Sequence, residues 1–218
     1  IVLISFYLVL VVFAMITSVS AKEFAVDKNT LFLAHFNEGL DADYAKGSGE
    51  VTRGTAGITT NNGGKYGEGV ICKQGMVIDA VGFEAPFYQF SYPMSGNINL
   101  KQGTMEFWIK PNFSRKPVQM NLYYIFDFPT ESKLQSGNTS RFTAVFVQYP
   151  SYTYISVYSG EKHISSQIQW AAGEWHHVAI TWDEQNAFLF LDGEQKGTMM
   201  TNDGTELPNE ERSKRVTD

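Results

Sequence analysis

The sequence predicts an all-β fold, a sandwich or barrel of short antiparallel strands. Three observations point there. Aromatic residues make up 14% of the 218-residue chain, with 16 Phe and 11 Tyr, against only 18% charged residues, a mix that suits pleated, half-buried surfaces. Apolar residues alternate within short runs, and helical spacing is almost missing beyond residue 21. The 19 glycines fall with Asn, Asp and Pro between those runs, where turns need them.

The first segment stands apart. Ile1 to Ile16 is apolar except for Ser5 and Tyr7, and Thr17-Ser18-Val19-Ser20-Ala21 follows before the first charge at Lys22. This pattern is that of an apolar signal helix with a small-residue cleavage site after Ala21. The alternative is an uncleaved signal anchor: with no start methionine or basic leader the beginning reads as truncated, and further residues would bring the run near the roughly 20 that span a bilayer. Both place the remainder outside the cytoplasm, secreted or at the cell surface. The lone Cys72 cannot form an internal disulfide.

From 22 to 200 the chain is expected to form one domain, with 201–218 as a charged tail or an unfinished C-terminal segment. Ten strands are expected: 30–36, 69–73, 104–110, 121–128, 142–149, 153–159, 164–170, 175–183, 187–191 and 194–199. In the third, Met105, Phe107 and Ile109 share the core face and Glu106, Trp108 and Lys110 the other. Val178, Ile180 and Trp182 mark the core face of the eighth. Its polar turn Asp183-Glu184-Gln185-Asn186 and the Asp192-Gly193 pair, a strong hairpin signal, make 175–199 a three-stranded meander. Residues 37–67, with eight glycines, read as a functional loop or a poorly ordered insertion, and 129–141 as a second long loop.

Several of these strands carry a family resemblance. The runs Gly103-Thr104-Met105-Glu106-Phe107-Trp108-Ile109-Lys110-Pro111, Trp175-His176-His177-Val178-Ala179-Ile180-Thr181-Trp182-Asp183 and Leu189-Phe190-Leu191-Asp192-Gly193 resemble the signature strands of laminin-G-like domains, of the concanavalin-A-like lectin and glucanase superfamily. Leu33 to Asp43 and Lys65 to Val70 are similar to its opening segments. The resemblance, over about 31–197, implies a two-sheet antiparallel jelly-roll β-sandwich. It also implies a closing strand after the Asp-Gly hairpin; the chain instead runs into the charged stretch 201–218, which leaves a sheet edge to be covered.

The superfamily holds both lectins and glycoside hydrolases, so catalysis has to be weighed. A retaining glycosidase needs two carboxylates about 5 to 5.5 Å apart, but Glu106 has only Trp108 and Lys110 beside it on its strand face. The expectation is a protein that is not an enzyme. Asp41 and Asp43 could bind calcium, as laminin-G-like domains often do, or simply cap turns in the Gly-rich loop. His176 and His177 face opposite ways and cannot grip one metal together.

Aromatic side chains are the better ligand candidates. Trp108 on the polar face of its strand, Tyr88 and Tyr92 in a turn-rich segment, and Tyr149, Tyr152 and Tyr154 around Pro150 could stack on sugar rings or anchor a protein, or could belong to the core. With a net charge of −6 and no basic cluster, nucleic acid is excluded as a partner. No phosphate loop is present. Asn112 and Asn138 begin N-glycosylation patterns, at a frequency that chance explains. The expected role is an extracytoplasmic, non-catalytic module binding carbohydrate or a glycosylated partner. The alternative is a structural or adhesion module of a larger surface protein that contacts protein.

Overall fold

The computed structural model describes residues 22–54, 58–61, 63–72, 76–79, 82–84, 89–112, 120–133, 139–159, 162–183, 186–196 and 199–200. The apolar stretch 1–21 and the tail 201–218 lie outside them. Among the described residues there are strands and no helix. The N-terminal part holds β1 (Phe32–Leu33), β2 (Tyr44–Ala45), β3 (Arg53–Gly54), β4 (Ile58–Asn61), β5 (Gly69–Cys72), β6 (Met76–Asp79), β7 (Gly82–Glu84) and β8 (Phe90–Ser91). The longer strands follow: β9 (Gly103–Ile109), β10 (Met120–Lys133), β11 (Thr139–Gln148), β12 (Thr153–Ser159), β13 (Lys162–Ile168), β14 (His176–Trp182) and β15 (Ala187–Leu191). Two short ones complete the set, β16 (Glu194–Lys196) and β17 (Met199–Met200).

Two antiparallel sheets carry the architecture. One runs β17-β13-β12-β11-β10-β6-β7 and the other β16-β15-β14-β9. Alternation along the strands dictates what lies between them. Ala144, Phe146, Ile155, Val157 and Ile164 from the larger sheet meet Val178, Ile180, Trp182, Leu189 and Leu191 from the smaller one in a single buried core. Met105, Phe107 and Ile109 pack against that core as their strand pattern requires. At roughly 25 cal/mol per Å² of apolar surface, each fully buried aliphatic side chain contributes about 1.5–3 kcal/mol.

The turns follow from residue chemistry. Asp192 and Gly193 both take positive φ, 51° and 83°, as the tight hairpin turn between β15 and β16 demands. Between β11 and β12, the Tyr149 N–H donates to the Tyr152 carbonyl at 2.8 Å. Asn186 N–H donates to Asp183 Oδ1 at 2.7 Å and so fixes the turn between β14 and β15.

Three expectations need correction. The strand expected over 30–36 is only Phe32–Leu33, because Phe36 takes a positive φ of 65° that an extended strand cannot accommodate. Segment 37–67, expected as a functional loop or a poorly ordered insertion, is in part regular strand. It contains β2, β3 and β4, and Asn97, whose side chain accepts from Gly47 N–H and donates to the Ser48 carbonyl, pins it. Finally, much of 129–141 is strand, with Pro129 opposite Arg141. Proline is tolerated there because, among the described residues, β6 flanks β10 only at Met120 to Leu122, so β10 has one described neighbour where its donor is missing.

The meander over 175–199 forms as expected up to Lys196. Met199 and Met200 then leave it and pair with Ile164 and His163 at the edge of the larger sheet. The chain thus crosses from one sheet to the other within a few residues.

Candidate functional site

Strand parity places the tyrosines. Since Ile155 and Val157 of β12 enter the core, Tyr154, Ser156 and Tyr158 stand on the outer face of the seven-stranded sheet. Register sets Tyr154 beside Val147 and Gln167, and Tyr158 beside Thr143 and His163. Tyr124 lies opposite Val145 on the same face. Tyr149 and Tyr152 flank the turn at the end of these strands, their ring centroids 4.7 Å apart, and Tyr152 meets Tyr154 edge-on at 5.4 Å. Three of the residues singled out from the sequence therefore form one continuous aromatic surface. Tyr152 is 43% and Tyr124 50% exposed. Burial, and then the neighbouring phenols of Tyr152, Tyr158 and Tyr154, raise the Tyr149 hydroxyl above its ordinary pKa.

The outer face of the smaller sheet is different. Trp108 and His177 are cross-strand partners, and Glu106 lies two residues along on the same side. They line a pocket of about 440 Å³ together with Lys22, Phe24 and Asp192. Glu106 Oε2 is 3.3 Å from His177 Nε2. Trp108 is half-buried and closely attended: Lys65 Nζ stands 4.5 Å over its ring, Tyr66 approaches edge-on at 6.2 Å and His177 lies at 5.1 Å. It is the wall of a pocket more than an open platform.

Asp192 joins the two histidines. Its Oδ2 is 2.8 Å from His176 Nδ1 and its Oδ1 accepts from the His177 backbone N–H at 2.9 Å. Burial pushes the Asp192 carboxyl upward, but the bonds from His176 and His177 outweigh it and hold the group below the usual carboxylate range. His176 stacks face to face on Trp170 at 4.1 Å. As expected for neighbours on a strand, the two imidazoles serve opposite faces. Sequence reasoning treated Asp192 only as a turn residue and missed its link to the histidines. The pairing of β9 with β14, which unites Glu106, Trp108 and His177, had no local signal.

The remaining candidates separate. Asp41 Oδ1 accepts from the Val51 N–H at 2.9 Å, and Asp43 Oδ2 from the His35 N–H at 2.6 Å with His35 Nδ1 at 3.3 Å. Among the described residues no set of three acidic, imidazole or thiol groups is arranged to hold a metal ion. Tyr92 donates its hydroxyl to the Leu40 carbonyl and packs edge-on against Phe32 at 4.7 Å. Burial, followed by the charges of Asp41 and Asp43, drives its pKa far upward. Tyr92 thus fastens the loop, away from the other tyrosines. Tyr88 lies outside the described residues.

Comparison with known proteins agrees with this architecture. The family model Laminin_G_3, described as concanavalin A-like lectin/glucanases superfamily, matches residues 89–214. No curated protein and no solved structure matches the chain. The matched region takes in β8 to β17, hence the whole four-stranded sheet and most of the larger one, and covers more than half of the chain. With two antiparallel sheets closed on one core and that match across them, the protein belongs to the concanavalin A-like lectin/glucanase superfamily.

Proposed function

We propose that the protein is an extracytoplasmic, non-catalytic module that binds carbohydrate on the tyrosine-rich outer face of its seven-stranded sheet. The observation that carries this reading is the contiguous set Tyr149, Tyr152 and Tyr154, partly exposed and in successive ring contact. Aromatic faces cover the apolar side of a pyranose, and phenol hydroxyls bond its rim. Such rings lose little conformational entropy on binding, having only two side-chain torsions to fix. A non-catalytic role is supported by the commitments of the acids in the other pocket. Glu106 faces His177 and Asp192 holds His176 and the His177 backbone, so both carboxylates already take part in contacts within the fold. The signal-like stretch before Lys22 supports export.

A glycan array with the secreted protein tests this directly. Binding of at least one neutral glycan is expected, and Tyr152→Ala with Tyr154→Ala should weaken it roughly 10-fold, at about 0.5–1.5 kcal/mol per ring. Glycan affinity unchanged by the double substitution would remove this face as the site. No glycan bound by a cooperatively melting protein would leave protein adhesion as the role.

A further inference from the structure

We infer that the pocket walled by Trp108 is an ammonium site, and that its occupant is the chain's own N-terminus after cleavage between Ala21 and Lys22. This rests on reading 1–21 as an export signal and is independent of the carbohydrate reading. Lys22, the residue that such cleavage would expose, lines the pocket with Glu106 and Asp192. Its neighbours are held in place. The Phe24 carbonyl accepts from His35 Nε2 at 2.8 Å, the Phe24 ring lies 6.0 Å from His177, and Glu23 Oε1 accepts from Asn37 Nδ2 at 3.4 Å. Consecutive Cα atoms are 3.8 Å apart, so an α-nitrogen two residues before Phe24 stays within about 9 Å of its Cα.

The lining suits a cation. Two carboxylates and an indole face form the recognition set for an ammonium group. Lys65 Nζ already stands 4.5 Å over the Trp108 ring, a cation–π arrangement. Before cleavage the Lys22 nitrogen is a neutral amide. Hydrolysis by a signal peptidase adds water across the Ala21–Lys22 bond: the hydroxyl goes to the Ala21 carbonyl carbon, which leaves as carboxylate, and the freed amine is protonated. Removal of the leader therefore adds one positive charge to a residue that lines the pocket with Glu106 and Asp192. Processing completes the pocket.

The test has two arms. N-terminal sequencing of the protein secreted by a host with its own signal peptidase should begin at Lys22; any other first residue, or retention of the leader, overturns the processing. Then a chain starting at Lys22, released without a scar, is melted beside one retaining Ser20-Ala21. The shorter chain should melt about 2 °C higher at low salt, a shift suited to one exposed ion pair in a domain of this size. The gap should close in 1 M NaCl and shrink in a Glu106→Gln pair of the same two chains. Equal melting temperatures at low salt, or a gap that survives both salt and Glu106→Gln, would overturn the pairing. Neither result bears on glycan binding.

Discussion

Asp192 shows how much one side chain can hold. Its positive φ makes the turn, while its two oxygens bond His176 and the His177 N–H. Asp192→Asn isolates the second role, because asparagine accepts the same backbone conformation. We expect a loss of about 1 kcal/mol at pH 7, discounted for the exposure of the carboxylate, read by urea denaturation. The pH dependence has a defined sign. The folded pKa lies below the ordinary value of 3.8, so the contribution is complete above that value and is lost as pH falls through the lower folded value. The gap between wild type and Asp192→Asn should therefore narrow below about pH 4.

At the level of elements, the best single probe is the contact between β9 and β14. A Cβ on Gly103 would lie 2.7 Å from Trp182 Cζ2. The indole cannot retreat easily, since it packs on Phe142 at 5.2 Å and donates to the Asn99 carbonyl at 3.0 Å. Gly103→Ala should cost about 1–3 kcal/mol by overpacking, measured by chemical denaturation. The alternating strands from β9 to β15 were legible because one buried face imposes a period of two: Met105, Phe107 and Ile109, or Val178, Ile180 and Trp182, announce their side by themselves. The short strands β2 and β3 were not, since pairs such as Tyr44–Ala45 are too brief to show a period, and the backbone between them is held by Asn97 from a distant part of the chain and by Asp41. The candidate site divides in the same way. Tyr149, Tyr152 and Tyr154 are close in sequence and were found together, whereas Glu106, His177 and Asp192 meet only through cross-strand pairing. Met199 failed as a continuation of β16 because the choice between two sheets is a tertiary one.

For the molecule as a whole, the N-terminal segments are fastened to the sandwich by side chain to backbone bonds. Within those segments Asp41 and Asp43 hold the turns together, through Val51 and His35, which makes a turn-holding role our reading of both. Chelation with EDTA should accordingly move the melting temperature by less than about 1 °C, whereas Asp43→Ala should lower it by about 2–4 °C, one such bond being worth roughly 1 kcal/mol. A large drop on chelation would restore calcium as a ligand. The pairing of β9 with β14 has a further consequence, in the order of synthesis. Residues 103–109 emerge from the ribosome roughly seventy residues ahead of their partner, an interval of about 4–14 s at ordinary elongation rates. Throughout it β9 lacks its hydrogen-bonded partner and Met105, Phe107 and Ile109 have only the strands of the larger sheet, within residues 120–168, to cover them, so the nascent chain carries an unpaired strand edge until β14 is made.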